Sequence, residues 1–234
     1  MSKSSSSTPL TSSQVIHFVP NWIGYGRVAC SLASFLLMMS QKDYWLLAIV
    51  LYLANFIGDL FDGLVARKLD QCSTYGGVLD MVTDRCSTMG LLMILSVEYV
   101  PVDATLAFPC FQGAFLGLVL LDISSHWVQT YSALSTGHHH KSAEGNEGRN
   151  ILVRWFYQYY YFFGYLCVGA ELTYVALYAR LYVGEEWRPL LDAFLYVSTP
   201  GCVAKQVVNL AQLTSGFQAI ARYDAEQINR SKKS

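Results

Sequence analysis

The chain has 234 residues, of which 53% are hydrophobic and only 14% are charged. Average soluble domains carry about 25% charged residues, so this composition argues against a soluble globular protein and favours helices that cross a membrane. The formal net charge of −1 offers no basic surface for a polyanion, which argues against a nucleic-acid-binding function.

Six apolar segments are long enough to cross a bilayer whose hydrocarbon core is about 30 Å thick. A short polar N-terminal segment, 1–20, precedes them, and the Ser/Thr-rich composition of 1–13 predicts a disordered tail. The predicted spans, in chain order, are 21–40, 44–67, 76–97, 104–131, 151–183 and 189–213. A cytosolic tail at 214–234 has helical spacing that would suit a helix on the membrane surface. We therefore predict an all-α polytopic membrane protein with one six-helix domain at 21–213.

Basic residues are shared unevenly between the two predicted faces of the membrane. The face that holds both termini carries ten of them: Lys3, Arg67, Lys68, Lys141, Arg149, Arg154, Arg222, Arg230, Lys232 and Lys233. The opposite face carries three: Lys42, Arg180 and Arg188. Because Lys and Arg concentrate in cytosolic loops, we expect both termini and the connection between the second and third spans to be cytosolic.

Four aspartates stand in otherwise apolar parts of the second and third spans. Asp59 and Asp62 are three residues apart, and Asp80 and Asp84 are four residues apart, so each pair shares one face of its helix. The connection between these spans is short, so the helices are antiparallel neighbours and the carboxylates can converge at their cytosolic end. An ionised aspartate in a membrane helix costs about 3 kcal/mol, and four on facing surfaces also repel one another.

Divalent metal ions are the best candidates to neutralise this cluster. Arg67 and Arg85 lie close in sequence but cannot offset four negative charges. The motif offers only hard oxygen ligands, which favour Mg²⁺ or Mn²⁺, and it contains no Cys or His that would favour zinc. Pairs of metals bridged by carboxylates are common in phosphoryl transfer. Gly63 and Ala66, on or beside the face of the first aspartate pair, leave room for a flat group such as a nucleobase.

The spacing of these residues resembles the signature of the CDP-alcohol phosphatidyltransferase family, D-x2-D-G-x2-A-R-x8-G-x3-D-x3-D. The matching positions are Asp59, Asp62, Gly63, Ala66, Arg67, Gly76, Asp80 and Asp84. The resemblance covers most of the chain and implies a two-metal site, with Mg²⁺ or Mn²⁺, at the cytosolic end of the helices. It also implies attack by an alcohol on the lipid-side phosphorus of CDP-diacylglycerol, with CMP leaving.

The resemblance assigns a role to each matching position. Asp59, Asp62 and Asp80 would be metal ligands, and Asp84 would be both a ligand of the second metal and the general base. The CDP-lipid would be bound by Gly63, Ala66, Arg67 and Gly76. Asn21 and Arg27, early in the first span, are further candidates because they could reach a phosphate.

Beyond the signature positions themselves, segments 18–28, 57–71, 76–92 and 121–134 resemble the phosphatidylinositol synthases, a eukaryotic branch of the same family. This resemblance implies myo-inositol as the acceptor, the endoplasmic reticulum membrane as the location, and homodimerisation. The candidate inositol-binding residues are Asp122, Ser125, His126, Gln129 and Lys141. The first four share helical spacing and supply the donors and acceptors that a polyol needs, although ordinary hydrogen bonding between helices would use the same residues.

Other readings of the sequence remain open. A family member with glycerol 3-phosphate or serine as acceptor would differ only in the acceptor pocket; a phosphorylated acceptor would need more basic residues than Arg154 and Lys141. A cation transporter would place its carboxylates near the membrane midplane, with broken helices and repeats. A scaffold would have no use for four intramembrane carboxylates.

Overall fold

The computed structural model describes residues 9–99, 107–136 and 160–232. The helices within these ranges are α1 (Ser12–Ile16), α2 (Val19–Ser40), α3 (Trp45–Lys68), α4 (Thr74–Glu98), α5 (Ala107–Thr136), α6 (Tyr160–Arg180) and α7 (Arg188–Ser231), with a 3₁₀ turn at Lys42–Tyr44. The predicted all-α class is therefore confirmed for the part of the chain that is described.

Among the residues that the structure describes, two helical segments are long and apolar enough to cross a membrane, Val19–Ser40 with 22 residues and Lys42–Lys68 with 27 residues. They correspond to the first two predicted spans. The total of six spans stays a prediction.

The chain before the first span is partly helical. Thr11 caps α1 in a reciprocal arrangement with Gln14: the Gln14 amide donates to Thr11 Oγ1 at 3.3 Å, and the Thr11 amide donates to Gln14 Oε1 at 2.9 Å. The Asn21 side chain then donates to the Val15 carbonyl at 2.7 Å, which ties α1 to the first turn of α2. The expected disordered tail is therefore wrong at Thr11–Ser13, because the capping box satisfies the free amides of this short helix.

Residues up to Ser87 belong to a first compact unit that contains α1 to α3 and the beginning of α4. Helices α2 and α3 pack against each other. Polar contacts join the helices inside this unit: Ser34 Oγ donates to the Ala48 carbonyl at 2.7 Å, and the Ser87 hydroxyl lies 2.9 Å from Ser31 Oγ and accepts from Asn55 at 3.1 Å.

The connection between α3 and α4 is a tight polar turn. Asp70 has a φ of 53°, the left-handed region that Asp tolerates better than most residues. The Gln71 amide donates to the Ala66 carbonyl at 2.9 Å, and Gln71 Oε1 accepts from the Val19 amide at 3.0 Å. The short polar connection predicted here is confirmed, and it fixes where the two aspartate-bearing helices meet.

A second compact unit begins at Thr88 and contains the rest of α4 together with α5, α6 and α7. Helix α7 packs against both α5 and α6. It has 44 residues and runs without a break past residue 213, where the sixth span was expected to give way to a tail. The described part of the fifth predicted span, α6, ends at Arg180 rather than at 183, and 151–159 lie outside the described residues.

Candidate metal centre and active site

The four aspartates converge on the guanidinium group of Arg27. Helix α3 supplies Asp59 and Asp62, the first turns of α4 supply Asp80 and Asp84, and α2 supplies Arg27. Arg27 NH1 donates to Asp62 Oδ2 at 2.5 Å and to Asp80 Oδ1 at 2.8 Å. Its NH2 lies 3.2 Å from Asp59 Oδ1 and donates to Asp84 Oδ1. The predicted convergence of both pairs is therefore present in the first unit.

The ion pairs of Arg27 do not follow from the sequence patterns given above. Those patterns predict that the Arg27 side chain reaches a phosphate, and they indicate only Arg67 and Arg85 as counter-charges. In the structure the Arg27 side chain is 2% exposed and bridges all four carboxylates, whereas Arg85 lies 3.5 Å from Asp84. The signal was available, because a basic residue inside an apolar span is normally paired with an acidic one.

The donor set fits a divalent cation. One carboxylate oxygen each from Asp59, Asp62 and Asp80 lies within 4.8 Å of the other two. All are hard oxygen ligands, the kind that Mg²⁺ and Mn²⁺ prefer. Exposure ranges from 12% for the Asp62 side chain to 42% for that of Asp80, so the cluster is partly open. These three residues can hold a metal ion, and Asp84 adjoins them through the shared guanidinium.

Four of the residues predicted to bind the CDP-lipid form two neighbouring pairs within the first unit, Gly76 with Asn21 and Gly63 with Arg67. A methyl group at Gly76 would lie 3.0 Å from Asn21 Oδ1, so the absence of a side chain there lets α4 approach the start of α2. A methyl group at Gly63 would lie 3.6 Å from a guanidinium nitrogen of the exposed Arg67, an ordinary contact distance. Ala66 contributes its carbonyl to the turn between α3 and α4.

The predicted inositol-binding residues of α5 lie in the second unit, where each of them makes at least one hydrogen bond. Ser125 Oγ donates to the Asp122 carbonyl at 3.0 Å, and His126 Nδ1 lies 2.8 Å from the same carbonyl. The side-chain amide nitrogen of Gln129, Nε2, donates to the Gln212 backbone carbonyl at 2.5 Å and to Ser215 Oγ at 3.3 Å. Gln129 therefore joins α5 to α7. Lys141 lies outside the described residues.

Helix α7 adds buried polar residues that the sequence analysis did not select. Asn209 donates to Asp122 Oδ1 at 3.5 Å, and Lys205 donates to Asn209 Oδ1. Lys205 is 5% exposed and Asn209 is fully buried. Their spacing of four residues inside an apolar segment places them on one helix face, and that spacing would have identified them.

The family model for CDP-alcohol phosphatidyltransferases matches residues 17–184, more than half of the chain. The chain belongs to this family. The family predicted from the signature is thus confirmed. The matched range contains the four aspartates, Arg27 and the selected residues of α5, whereas Lys205 and Asn209 lie beyond it.

Curated relatives match over nearly the whole chain. The CDP-diacylglycerol--inositol 3-phosphatidyltransferase of Saccharomyces cerevisiae is 35% identical over 98% of this chain and 99% of its own length. The Homo sapiens protein of the same name is 34% identical over 92% of this chain and 96% of its own length. A probable CDP-diacylglycerol--inositol 3-phosphatidyltransferase 2 of Arabidopsis thaliana is 35% identical over 90% and 92%. No solved structure matches the chain.

Proposed function

We propose that the protein transfers the phosphatidyl group of CDP-diacylglycerol to myo-inositol, giving phosphatidylinositol and CMP. The observation that carries this proposal is the convergence of Asp59, Asp62, Asp80 and Asp84, at the spacing of the family signature, on one point of the first unit. The inositol acceptor is supported by relatives of that name that are 34–35% identical over almost the full chain.

Asp59, Asp62, Asp80 and Asp84 would hold two divalent ions, Mg²⁺ or Mn²⁺. Bound there, the ions would supply positive charge to offset that of the pyrophosphate and of the departing CMP. The close approach of the first three carboxylates and their oxygen-only chemistry support this assignment.

Asp84 is the proposed general base. An inositol hydroxyl is a weak nucleophile until a neighbouring group accepts its proton, and a carboxylate can do so. Asp84 is 30% exposed, so a proton donor can reach it, and it contacts both Arg27 and Arg85. These two guanidinium groups hold the carboxylate in place.

The CDP-lipid would be bound by Asn21, Gly63, Ala66, Arg67 and Gly76, with Arg27 beside the phosphates. Gly76 lets Asn21 approach closely, and Arg67 is exposed and lies over Gly63. An exposed guanidinium suits bidentate binding of a phosphate.

The acceptor would be recognised by Asp122, Ser125, His126, Gln129 and Lys141. Among these residues on α5, His126 has the most accessible side chain, which is 23% exposed. Gln129 is 3% exposed, and its side chain is hydrogen-bonded to α7. We therefore expect His126 to contact inositol and Gln129 to hold α5 in position.

The same proposal includes the cellular setting. The chain would cross the endoplasmic reticulum membrane six times, with the active site and both termini in the cytosol, and it would form homodimers. The two long apolar segments and the excess of basic residues on one predicted face support the membrane topology.

The decisive experiment supplies purified protein with CDP-diacylglycerol and labelled inositol, glycerol 3-phosphate or serine, in Mg²⁺, in Mn²⁺ or in chelator. Labelled lipid from inositol alone, lost on chelation and absent with Asp80→Asn, is the expected result. Product from a different acceptor would keep the chemistry and replace the substrate. No product from any acceptor with metal present would favour a transporter or scaffold.

A further inference from the structure

Arg27 forms an unusually concentrated set of ion pairs. Its two terminal nitrogens contact four carboxylates from two helices, at 2.5, 2.8 and 3.2 Å for Asp62, Asp80 and Asp59, and closely for Asp84. The guanidinium group stays protonated in proteins, so this side chain is a permanent positive charge. Its burial is tolerable only because the carboxylates compensate it.

A divalent ion and this guanidinium group would neutralise the same carboxylates. Asp59, Asp62 and Asp80 form the group that can hold a metal, and all three are in contact with Arg27. A cation bound to these residues would lie close to the guanidinium group and would be repelled by it, because their charges have the same sign. Metal binding and the complete set of Arg27 contacts therefore oppose each other.

We propose that Arg27 is the resident counter-cation of the aspartate cluster: it offsets part of the charge of the four carboxylates, and a divalent ion bound by Asp59, Asp62 and Asp80 would weaken its contacts with those three. This inference rests on the proposed metal site. It assigns to Arg27 a positioning role before the lipid substrate arrives, in addition to any contact with phosphate.

Gly58 on α3 has no side chain, and this leaves the space that the Arg27 side chain occupies. A methyl group at Gly58 would lie 2.8 Å from Arg27 Cγ and 3.2 Å from Arg27 Cδ, too close for the Arg27 side chain to keep its conformation. Gly26 is the matched control: it neighbours Arg27 in sequence, and a methyl group there would meet no atom within 4 Å. Gly58→Ala thus displaces Arg27 without removing its charge, whereas Gly26→Ala adds the same methyl group without a clash.

The test measures two properties of the purified full-length protein that do not depend on turnover. One is the thermal midpoint in chelator and in Mn²⁺, and the other is Mn²⁺ affinity, from electron paramagnetic resonance of the free ion. We expect Arg27→Gln to lower the midpoint in chelator, to raise the stabilisation that Mn²⁺ provides and to bind Mn²⁺ about tenfold more tightly. Gly58→Ala should change both properties in the same direction but less, and Gly26→Ala should match the wild type.

The outcomes separate this inference from the proposed function. Unchanged or weaker Mn²⁺ binding by Arg27→Gln, with binding by the wild type intact, would overturn the inference and leave the metal site standing. No Mn²⁺ binding by either protein would remove the metal site itself. If Arg27→Gln folds only in Mn²⁺, the inference is supported; if it folds in neither condition, the same criteria apply to Gly58→Ala against Gly26→Ala.

Discussion

Asp84 has a different electrostatic environment from the other three aspartates, because it contacts Arg85 as well as Arg27. We predict that Asp84→Asn lowers turnover by about 10²- to 10⁴-fold, the usual contribution of a general base, while binding of CDP-diacylglycerol remains detectable. Asp59→Asn and Asp80→Asn should lose metal-dependent substrate binding as well. Turnover assays and equilibrium binding with and without Mn²⁺ check this. Near-wild-type activity in all three variants would remove the two-metal hypothesis.

His126 and Gln129 give a second prediction at the residue scale, because they differ in what they contact. His126→Ala should raise the KM for inositol about tenfold, equivalent to about 1.4 kcal/mol, and leave the KM for CDP-diacylglycerol unchanged. Gln129→Ala should instead lower the thermal midpoint, since it removes a donor from the Gln212 carbonyl at a cost of about 1–2 kcal/mol. Steady-state kinetics and thermal unfolding of both variants test the assignment. A rise in both KM values for His126→Ala would contradict it.

Site residues could be predicted from the sequence where their neighbours in space are also near them in the chain. The aspartates follow from spacings of three and four residues on helices, so Asp59, Asp62, Asp80 and Asp84 were found. The pairing of Arg27 with Asp62 joins residues 35 positions apart, and that with Asp84 joins residues 57 apart, so neither follows from helical spacing. Such contacts depend on how α2 packs against the hairpin of α3 and α4.

The turn between α3 and α4 gives a prediction at the scale of elements. Asp70 has a left-handed backbone, which costs about 1–2 kcal/mol for an ordinary residue and nothing for glycine. Asp70→Val should therefore lower the thermal midpoint, and Asp70→Gly should keep it. Thermal unfolding of the two variants in the same detergent checks the difference. Equal midpoints would show that this turn does not constrain the helices.

The packing of α5 against α7 gives a second prediction for elements. A methyl group at Gly216 would lie 2.7 Å from Val128 Cγ1, whereas one at Gly117 would meet nothing within 4 Å. Gly216→Ala should destabilise the protein by about 1–3 kcal/mol through overpacking. Gly117→Ala should be neutral or stabilising by up to about 1 kcal/mol, because alanine favours helix. The order of the two thermal midpoints decides; the reverse order would contradict the described contact.

The limits of the helices were predicted unevenly, for physical reasons. Helices α2 and α3 begin and end within about two residues of the expected spans, because polar residues bound both apolar segments. The helical spacing predicted for the tail is confirmed as far as Ser231, but the tail was not predicted to continue the sixth span as one helix, because a change from apolar to polar composition does not by itself end a helix. The short α1 was also missed, although Thr11 and Gln14 form a recognisable capping box.

At the scale of the whole molecule, the six-span topology predicts which cysteines a membrane-impermeant maleimide reaches in sealed microsomes. Cys72, exposed in the turn between α3 and α4, should react from the cytosolic side. In a background that replaces both exposed cysteines, Cys72→Ser with Cys86→Ser, Asp43→Cys and Glu186→Cys should react only after permeabilisation, because both lie on the opposite predicted face. Labelling is followed by mass shift. Reaction at positions 43 and 186 but not at Cys72 in sealed microsomes would contradict the orientation.

Composition was sufficient to indicate the class of the whole molecule, and the signature was sufficient to indicate its family. Both are properties of the sequence alone. The hydrogen bonds of Asn209 to Asp122 and of Gln129 to Gln212 could not be predicted in the same way, because they depend on the rotation of α7 about its axis. A single sequence constrains that rotation only weakly when apolar residues surround the helix.

Helix α7 has a practical consequence that follows from its length. Its 44 residues, with Pro200 inside the helix, extend about 66 Å along the helix path at about 1.5 Å per residue, roughly twice the thickness of a bilayer core. A helical protein fused in register after Ser231 would inherit the direction of α7, since the backbone hydrogen bonds would continue across the junction. The end of α7 is thus suited to carry a rigid fiducial for single-particle imaging of this chain of 26.2 kDa.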